Sequence, residues 1–170
     1  MNEVMRYLFF QYSMIKKTKH TVSILIIGYS DHYNIPIINR LQSSKEITIH
    51  VISRNVNLDS FQGCKFPVIG HSNLSTFDMM DIIYEADYIL TDVALPKDYT
   101  HENMSGSIPL AFSTLTPLIL SKETNAYYQF KNCIEFEENI VLRDINTDDL
   151  RTERNEIIQH NHKVLNTILS

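Results

Sequence analysis

The chain has 170 residues, of which 44% are apolar and 21% are charged, enough for one globular domain with its own hydrophobic core. A formal net charge of −5, with no basic run interleaved with aromatic residues, argues against a nucleic-acid-binding protein. The apolar segment 7–10 is too short to span a bilayer and lacks the flanks of a signal peptide, so we predict a cytoplasmic protein without a transmembrane segment.

Helix-like and strand-like patterns alternate from the start of the chain. Residues 3–17 carry apolar side chains at helical spacing, which predicts an N-terminal helix that packs on the domain or on a partner. A continuous apolar run predicts a strand buried on both faces over residues 22–27. A helix over residues 35–43 and a strand over residues 47–53 follow.

The pattern continues with a third strand over residues 66–70 and a fourth over residues 88–90. Between them, Ser75 and Asp78 form a variant of the capping box, which predicts the start of a helix over residues 76–85. The four predicted strands are separated by segments long enough for crossover connections.

The segment 101–120 contains two prolines that delimit a short helix. Pro109 lacks an amide hydrogen and fits only the first turn, so the helix is predicted to begin at 105–107 with a serine as N-cap. Pro117 disfavours a helical conformation at Thr116, so the helix is predicted to end near Leu115. The apolar residues 117–120 then predict a buried strand.

The last third of the chain predicts a helix over 122–130, a strand over 133–136 and a long final helix over 147–169, capped by Asn146 or Thr147. Strands that alternate with helices predict a single α/β domain. We expect a Rossmann-like, doubly wound parallel sheet of about five or six strands with helices on both faces.

The cysteines and histidines show no metal-type spacing. Cys64 and Cys133 are far apart and predict two reduced, partly buried thiols. His160 and His162 are two residues apart and would point to different faces of a helix. We therefore predict neither a metal nor a cofactor.

Polar loops follow the predicted strands at the edge where a doubly wound sheet binds ligands. In the longest of these loops, Ser105, Gly106 and Ser107 precede a helix, whose free N–H groups and positive dipole end suit a phosphate. The alternative is that serine and glycine only cap the helix.

Three features resemble the C-terminal, nucleotide-sugar-binding half of retaining GT-B-type glycosyltransferases. The segment Asp81-Ile-Ile-Tyr-Glu-Ala-Asp-Tyr-Ile-Leu90 is similar to a helix and strand of that family. The segment Ser105-Gly-Ser-Ile-Pro-Leu-Ala-Phe-Ser113, with Thr116-Pro-Leu-Ile119, is similar to its donor-phosphate helix and the following strand. Gly28 and Gly70 lie where its first and third strands end. The resemblance covers residues 22–140 and implies binding of a nucleoside-diphosphate sugar.

The resemblance also implies roles for individual residues. Glu102 matches the carboxylate that handles the transferred sugar and is the candidate catalytic residue; the alternative is a solvated loop acid. The candidate substrate-binding residues follow the predicted strands or precede the central helix: Gly28, Tyr29, Arg54, His71, Ser72, Ser105, Gly106 and Ser107. For Arg54 and His71, the alternative is an ordinary surface side chain, which is the commoner role of such residues.

The chain departs from the family pattern at several positions. Leu110 stands where many members have a ribose-binding glutamate, and Leu115 stands where a glycine is usual. Tyr29 replaces an arginine of the basic diphosphate clamp, and no Lys or Arg occurs in residues 29–34. The twenty residues before the first strand cannot form an acceptor domain, so transfer would need a separate acceptor-domain protein or a homo-oligomer. The alternative is a non-catalytic nucleotide-binding or protein-interaction module.

Overall fold

The computed structural model describes residues 20–28, 32–95 and 106–169. Within these ranges the strands, in chain order, are β1 (Thr21–Ile27), β2 (His32–Tyr33), β3 (Leu41–Gln42), β4 (Glu46–Ser53), β5 (Val68–Ser72), β6 (Tyr88–Leu90), β7 (Ala94–Leu95), β8 (Leu118–Ser121), β9 (Ile134–Phe136) and β10 (Ile140–Val141). The helices are α1 (Ile35–Ile38), α2 (Thr76–Glu85), α3 (Ser107–Thr114), α4 (Lys122–Tyr128) and α5 (Thr147–Leu169), with a 3-10 turn at Leu58–Phe61.

Six of the strands form one parallel sheet in the order β5-β4-β1-β6-β8-β9. Numbered by their appearance along the chain, these strands follow the order 3-2-1-4-5-6, which is the order of the Rossmann fold. The predicted fold class, an α/β domain with a Rossmann-like parallel sheet, is confirmed.

Both faces of the sheet are buried, as the continuous apolar runs predict. In β1, Ile24 and Ile26 belong to the core on one face, and Leu25 belongs to the core on the other. The first core is covered by Ile38 of α1 and Phe61 of the 3-10 turn, together with the small β3–β10 pair.

The second core is covered by α2, α3 and α4. Ile83 of α2 and Ile108 and Ala111 of α3 are buried in this core, and Tyr128 of α4 packs against it. Helices therefore cover both faces, as predicted; among the described residues, α2, α3 and α4 lie on one face, and α1 and the 3-10 turn lie on the other.

The two neighbours of β1 are paired to it to very different extents. The pairing with β4 runs from Thr21↔Glu46 to Ile27↔Ile52, the full length of β1. The pairing with β6 is limited to Ile24↔Tyr88 and Leu25↔Ile89. At the amino end of this second junction, the Asp87 amide donates to the Ser23 carbonyl at 2.9 Å, and the Ser23 amide donates to the Asp87 carboxylate at 2.9 Å.

The helix predicted over 35–43 is wrong in its second half. The helix ends at Ile38, because the residues that follow it make tertiary contacts instead. The side-chain amide of Asn39 donates to the Gly63 carbonyl at 2.9 Å, and its oxygen accepts from the Lys65 amide at 2.9 Å. Leu41, with 1% of its surface exposed, is then buried in a strand paired with β10.

The third strand begins two residues later than predicted, at Val68. Pro67 has no amide hydrogen to contribute to the ladder and supplies only its carbonyl, which accepts from the Ile49 amide at 2.9 Å. The strands predicted over 22–27, 47–53, 88–90, 117–120 and 133–136 are confirmed to within one residue at each end.

The final helix begins at Thr147 and runs to Leu169, as predicted. The side-chain oxygen of Asn146 accepts from the Asp148 amide at 2.9 Å at its start. The predicted helix over residues 3–17 lies outside the described residues. No helix in the described ranges combines the length and apolar character needed to cross a membrane.

A buried carboxylate attaches α5 to the rest of the domain. Glu153, with 8% of its surface exposed, accepts hydrogen bonds from the Lys131 amide at 2.6 Å and the Asn132 amide at 3.0 Å. The side-chain amide of Asn132 also donates to it, at 2.9 Å. These contacts hold the first turns of α5 against the connection between α4 and β9.

The two thiols have different surroundings, which predicts different reactivity. Cys133 is buried, and burial raises its pKa to about 11, whereas Cys64 is only partly buried. Because the thiolate is the nucleophile, we expect an alkylating reagent at neutral pH to modify Cys64 first and Cys133 only on unfolding. Mass spectrometry of the native protein during alkylation measures this order. Equal rates, or a fast reaction that persists in Cys64→Ser, would contradict it.

Candidate functional site

The candidate site lies at the carboxyl edge of the sheet, where β1 is flanked by β4 and β6. Chain connections leave these strands in opposite directions at this switch point, which creates a crevice in doubly wound sheets. Gly28 ends β1 with φ of +123°, a conformation that essentially requires glycine. Its amide donates to the Ile52 carbonyl at 3.0 Å, and its carbonyl accepts from the Tyr33 hydroxyl at 3.2 Å.

An added Cβ at Gly28 would meet nothing within 4 Å. The glycine is therefore required by the backbone conformation and not by crowding. Among the described residues, nothing fills the space that a side chain at Gly28 would occupy. Tyr29, the next candidate residue, lies outside the described residues.

The N-terminus of α3 is the second part of the site. Because α3 connects β6 to β8, its first turn lies at the carboxyl edge of the sheet. Pro109 lies in this first turn, as predicted, but the N-cap is Gly106 and not a serine, and no side-chain hydrogen bond caps the helix among the described residues. Ser107 is buried as the first helical residue.

Gly106 has φ of −58° and ψ of −21°, ordinary helical values, and an added Cβ there meets nothing within 4 Å. Neither the backbone conformation nor the atoms of the other described residues therefore require glycine at position 106. Glycine at this position places no side chain beside the first-turn amides. Glu102 and Ser105 lie outside the described residues.

The structure adds Asp92, a residue that the sequence patterns did not single out. Asp92 follows β6 with φ of +63°, a left-handed conformation that is strained for a residue other than glycine. One of its carboxylate oxygens accepts from the Ser121 amide at 2.8 Å and from the Ser121 hydroxyl at 2.9 Å. The sequence contains one signal that could have identified Asp92. It is an acidic residue shortly after a buried strand, at the edge of the sheet where ligands bind.

The remaining candidates lie farther from the switch point. Ser72 ends β5, two strands from β1, and its hydroxyl accepts from the Val56 amide at 3.1 Å. Two strand spacings correspond to about 10 Å. His71 is hydrogen-bonded to His50, and burial lowers the pKa of His71. Arg54 follows β4 with an exposed side chain. Their substrate-binding roles stay predictions.

A small, partly open cavity at the opposite end of the sheet does not compete with this edge. It has a volume of about 30 Å³ and lies between the end of α3 and the start of α5, near Leu115, Thr116 and Glu153. That volume holds a water molecule or two and excludes a nucleotide.

The sheet order and the geometry of the carboxyl edge define a Rossmann-like α/β protein. The chain has no match among models of protein families, among curated proteins or among solved structures. Its function is therefore argued from its own residues.

Proposed function

We propose that the chain binds a nucleoside-diphosphate sugar at the carboxyl edge of its sheet, as a glycosyltransferase-like donor domain of the GT-B type. The observation that carries the proposal is the N-terminus of α3, which has Gly106 as its N-cap and no side-chain cap among the described residues. The first-turn amides of a helix and the positive end of its dipole favour a phosphate group.

The open backbone at Gly28 supports the same position for the ligand. In this fold type the end of the first strand and the helix after the fourth strand border one crevice. A diphosphate would accept hydrogen bonds from the α3 amides, with the remainder of the nucleotide lying over the loops that follow β1 and β4. Glu102, four residues before Gly106 in the sequence, is the proposed contact to the sugar.

The side chains described at this edge also favour a second function, nucleotide binding without sugar transfer. Leu110 of α3 packs against the second core, so it offers no hydrogen bond to a ribose. No Lys or Arg between residues 29 and 34 is available to stabilise a diphosphate leaving group, a task that is mainly electrostatic.

A thermal-shift screen against UDP, GDP, ADP and CMP and their sugar conjugates tests the proposal. A ligand that binds only the folded state at about 100 times its Kd adds about 2.7 kcal/mol to the free energy of unfolding. We expect one base to raise the melting temperature, with a larger shift for its sugar conjugate than for the free nucleotide. Equal shifts for the two would favour a nucleotide-binding module. No shift at millimolar ligand would contradict both.

A further inference from the structure

Two histidines on adjacent strands face each other on one side of the sheet. His50 lies in β4 and pairs with Ile69 of β5, two residues before His71, so both imidazoles project from the same face. Nδ1 of His50 and Nε2 of His71 are 3.0 Å apart. The rings are nearly parallel, with an interplanar angle of 8° and centroids 5.2 Å apart.

We propose that His50 and His71 together bind one divalent transition-metal ion, of the class of Zn²⁺, Ni²⁺ and Cu²⁺. Two ligand nitrogens at about 2.0–2.1 Å from one ion are about 2.9 Å apart at a right angle and about 3.3 Å apart at the tetrahedral angle. The observed 3.0 Å lies within this interval. Since the rings face each other nearly head-on, each must rotate by roughly 45° about its side-chain torsions for both lone pairs to point at a common ion.

To bind the ion, one neutral imidazole ring must change its tautomer. Neither neutral ring has to lose a proton. In the hydrogen-bonded pair, one facing nitrogen carries the hydrogen and the other accepts it. When that hydrogen resides on the outer nitrogen of the same ring, both facing nitrogens are acceptors and can ligate the ion. Burial lowers the pKa of His71, which keeps its ring neutral and available as a ligand.

The surroundings define the kind of site. β5 is the edge strand of the sheet, and both histidines are only partly buried, so an ion reaches them from solvent. Within the described ranges no group of three or more His, Cys, Asp or Glu side chains is placed around an ion, so in this part of the chain the proposed site has two protein ligands. Imidazole ligands favour Cu²⁺, Ni²⁺ and Zn²⁺ over Mg²⁺, which prefers oxygen.

Calorimetric titration of the full chain, without an affinity tag, tests the site with Ni²⁺ and Zn²⁺ and with Mg²⁺ as the control ion. We expect one Ni²⁺ or Zn²⁺ per chain and no heat from Mg²⁺. Replacing either ligand, as in His71→Gln or His50→Gln, should abolish this binding. The double variant His160→Gln/His162→Gln, on exposed positions of α5, should retain it.

Electron paramagnetic resonance of Cu²⁺ bound to the unmodified protein gives a test that does not depend on folding of the variants. Two coordinated imidazole nitrogens are expected. Absence of Ni²⁺ and Zn²⁺ binding, binding that persists in the folded His71→Gln protein, or a Cu²⁺ spectrum without two imidazole nitrogens would each overturn the proposal. None of these readouts depends on nucleotide binding.

Discussion

Replacing Gly106 by Asp is expected to abolish nucleoside-diphosphate binding while the protein remains folded. The backbone at Gly106 is helical, and a Cβ there meets no atom of the described residues within 4 Å, so we expect the fold to accept the substitution. The new carboxylate stands beside the first-turn amides, where the phosphate is proposed to bind. Two unit charges about 4 Å apart repel by about 4 kcal/mol at an effective dielectric constant of about 20, which corresponds to roughly a thousandfold loss of affinity.

Gly106→Asn is the matched control, because asparagine has nearly the same size as aspartate and no charge. We expect it to retain most of the affinity and both variants to melt within a few degrees of the unmodified protein. Isothermal titration with the nucleotide selected by the thermal-shift screen measures the difference. Unchanged affinity in Gly106→Asp would remove α3 from the site, and equal losses in both variants would point to obstruction instead of charge.

Glu153→Gln is expected to destabilise the domain by about 1–3 kcal/mol. The buried carboxylate accepts from two backbone amides and one side-chain amide, all of them donors. Glutamine offers one oxygen and one NH₂ group, so one donor of Lys131 or Asn132 would face another donor and lose its partner. Leaving a buried donor unsatisfied costs more than the net value of the bond itself.

Glu156→Gln provides the comparison on the same helix. Glu156 contacts the ammonium group of Lys131 at 3.5 Å, but both side chains are largely exposed, and such ion pairs contribute about 0–1 kcal/mol. Urea unfolding of the two variants in parallel should therefore separate them clearly. Similar midpoints for Glu153→Gln and Glu156→Gln would show that the buried carboxylate does not anchor α5.

The strands of the main sheet were predictable because burial on both faces leaves a signal in the sequence itself. Runs such as residues 22–27 and 88–90 are apolar throughout, and their local preference agrees with their place in the sheet. The two-residue strands were not predictable, since Leu41 and Ile140 pair across a long stretch of chain. For the same reason the helical preference of residues 39–43 is overridden by contacts that Asn39 makes with a distant loop.

The candidate site was predictable only in part. Gly28 and the position of α3 follow from strand ends and prolines, because glycine and proline act through local backbone geometry. The left-handed Asp92 and its bonds to Ser121 depend on how two strand ends meet. The facing of His50 and His71 depends on the register of β4 against β5, which no local pattern contains.

The pairing of β1 with β6 lies near the amino end of the junction, at Ile24, Leu25 and the Ser23–Asp87 bonds, whereas β4 pairs with the full length of β1. Gly28 follows the carboxyl end of β1, and Asp92 follows the carboxyl end of β6. A ligand in the crevice would therefore connect these two strand ends at the edge where the backbone joins them least. Cohesion of the sheet and occupancy of the site would then be linked, each strengthening the other by the same free energy.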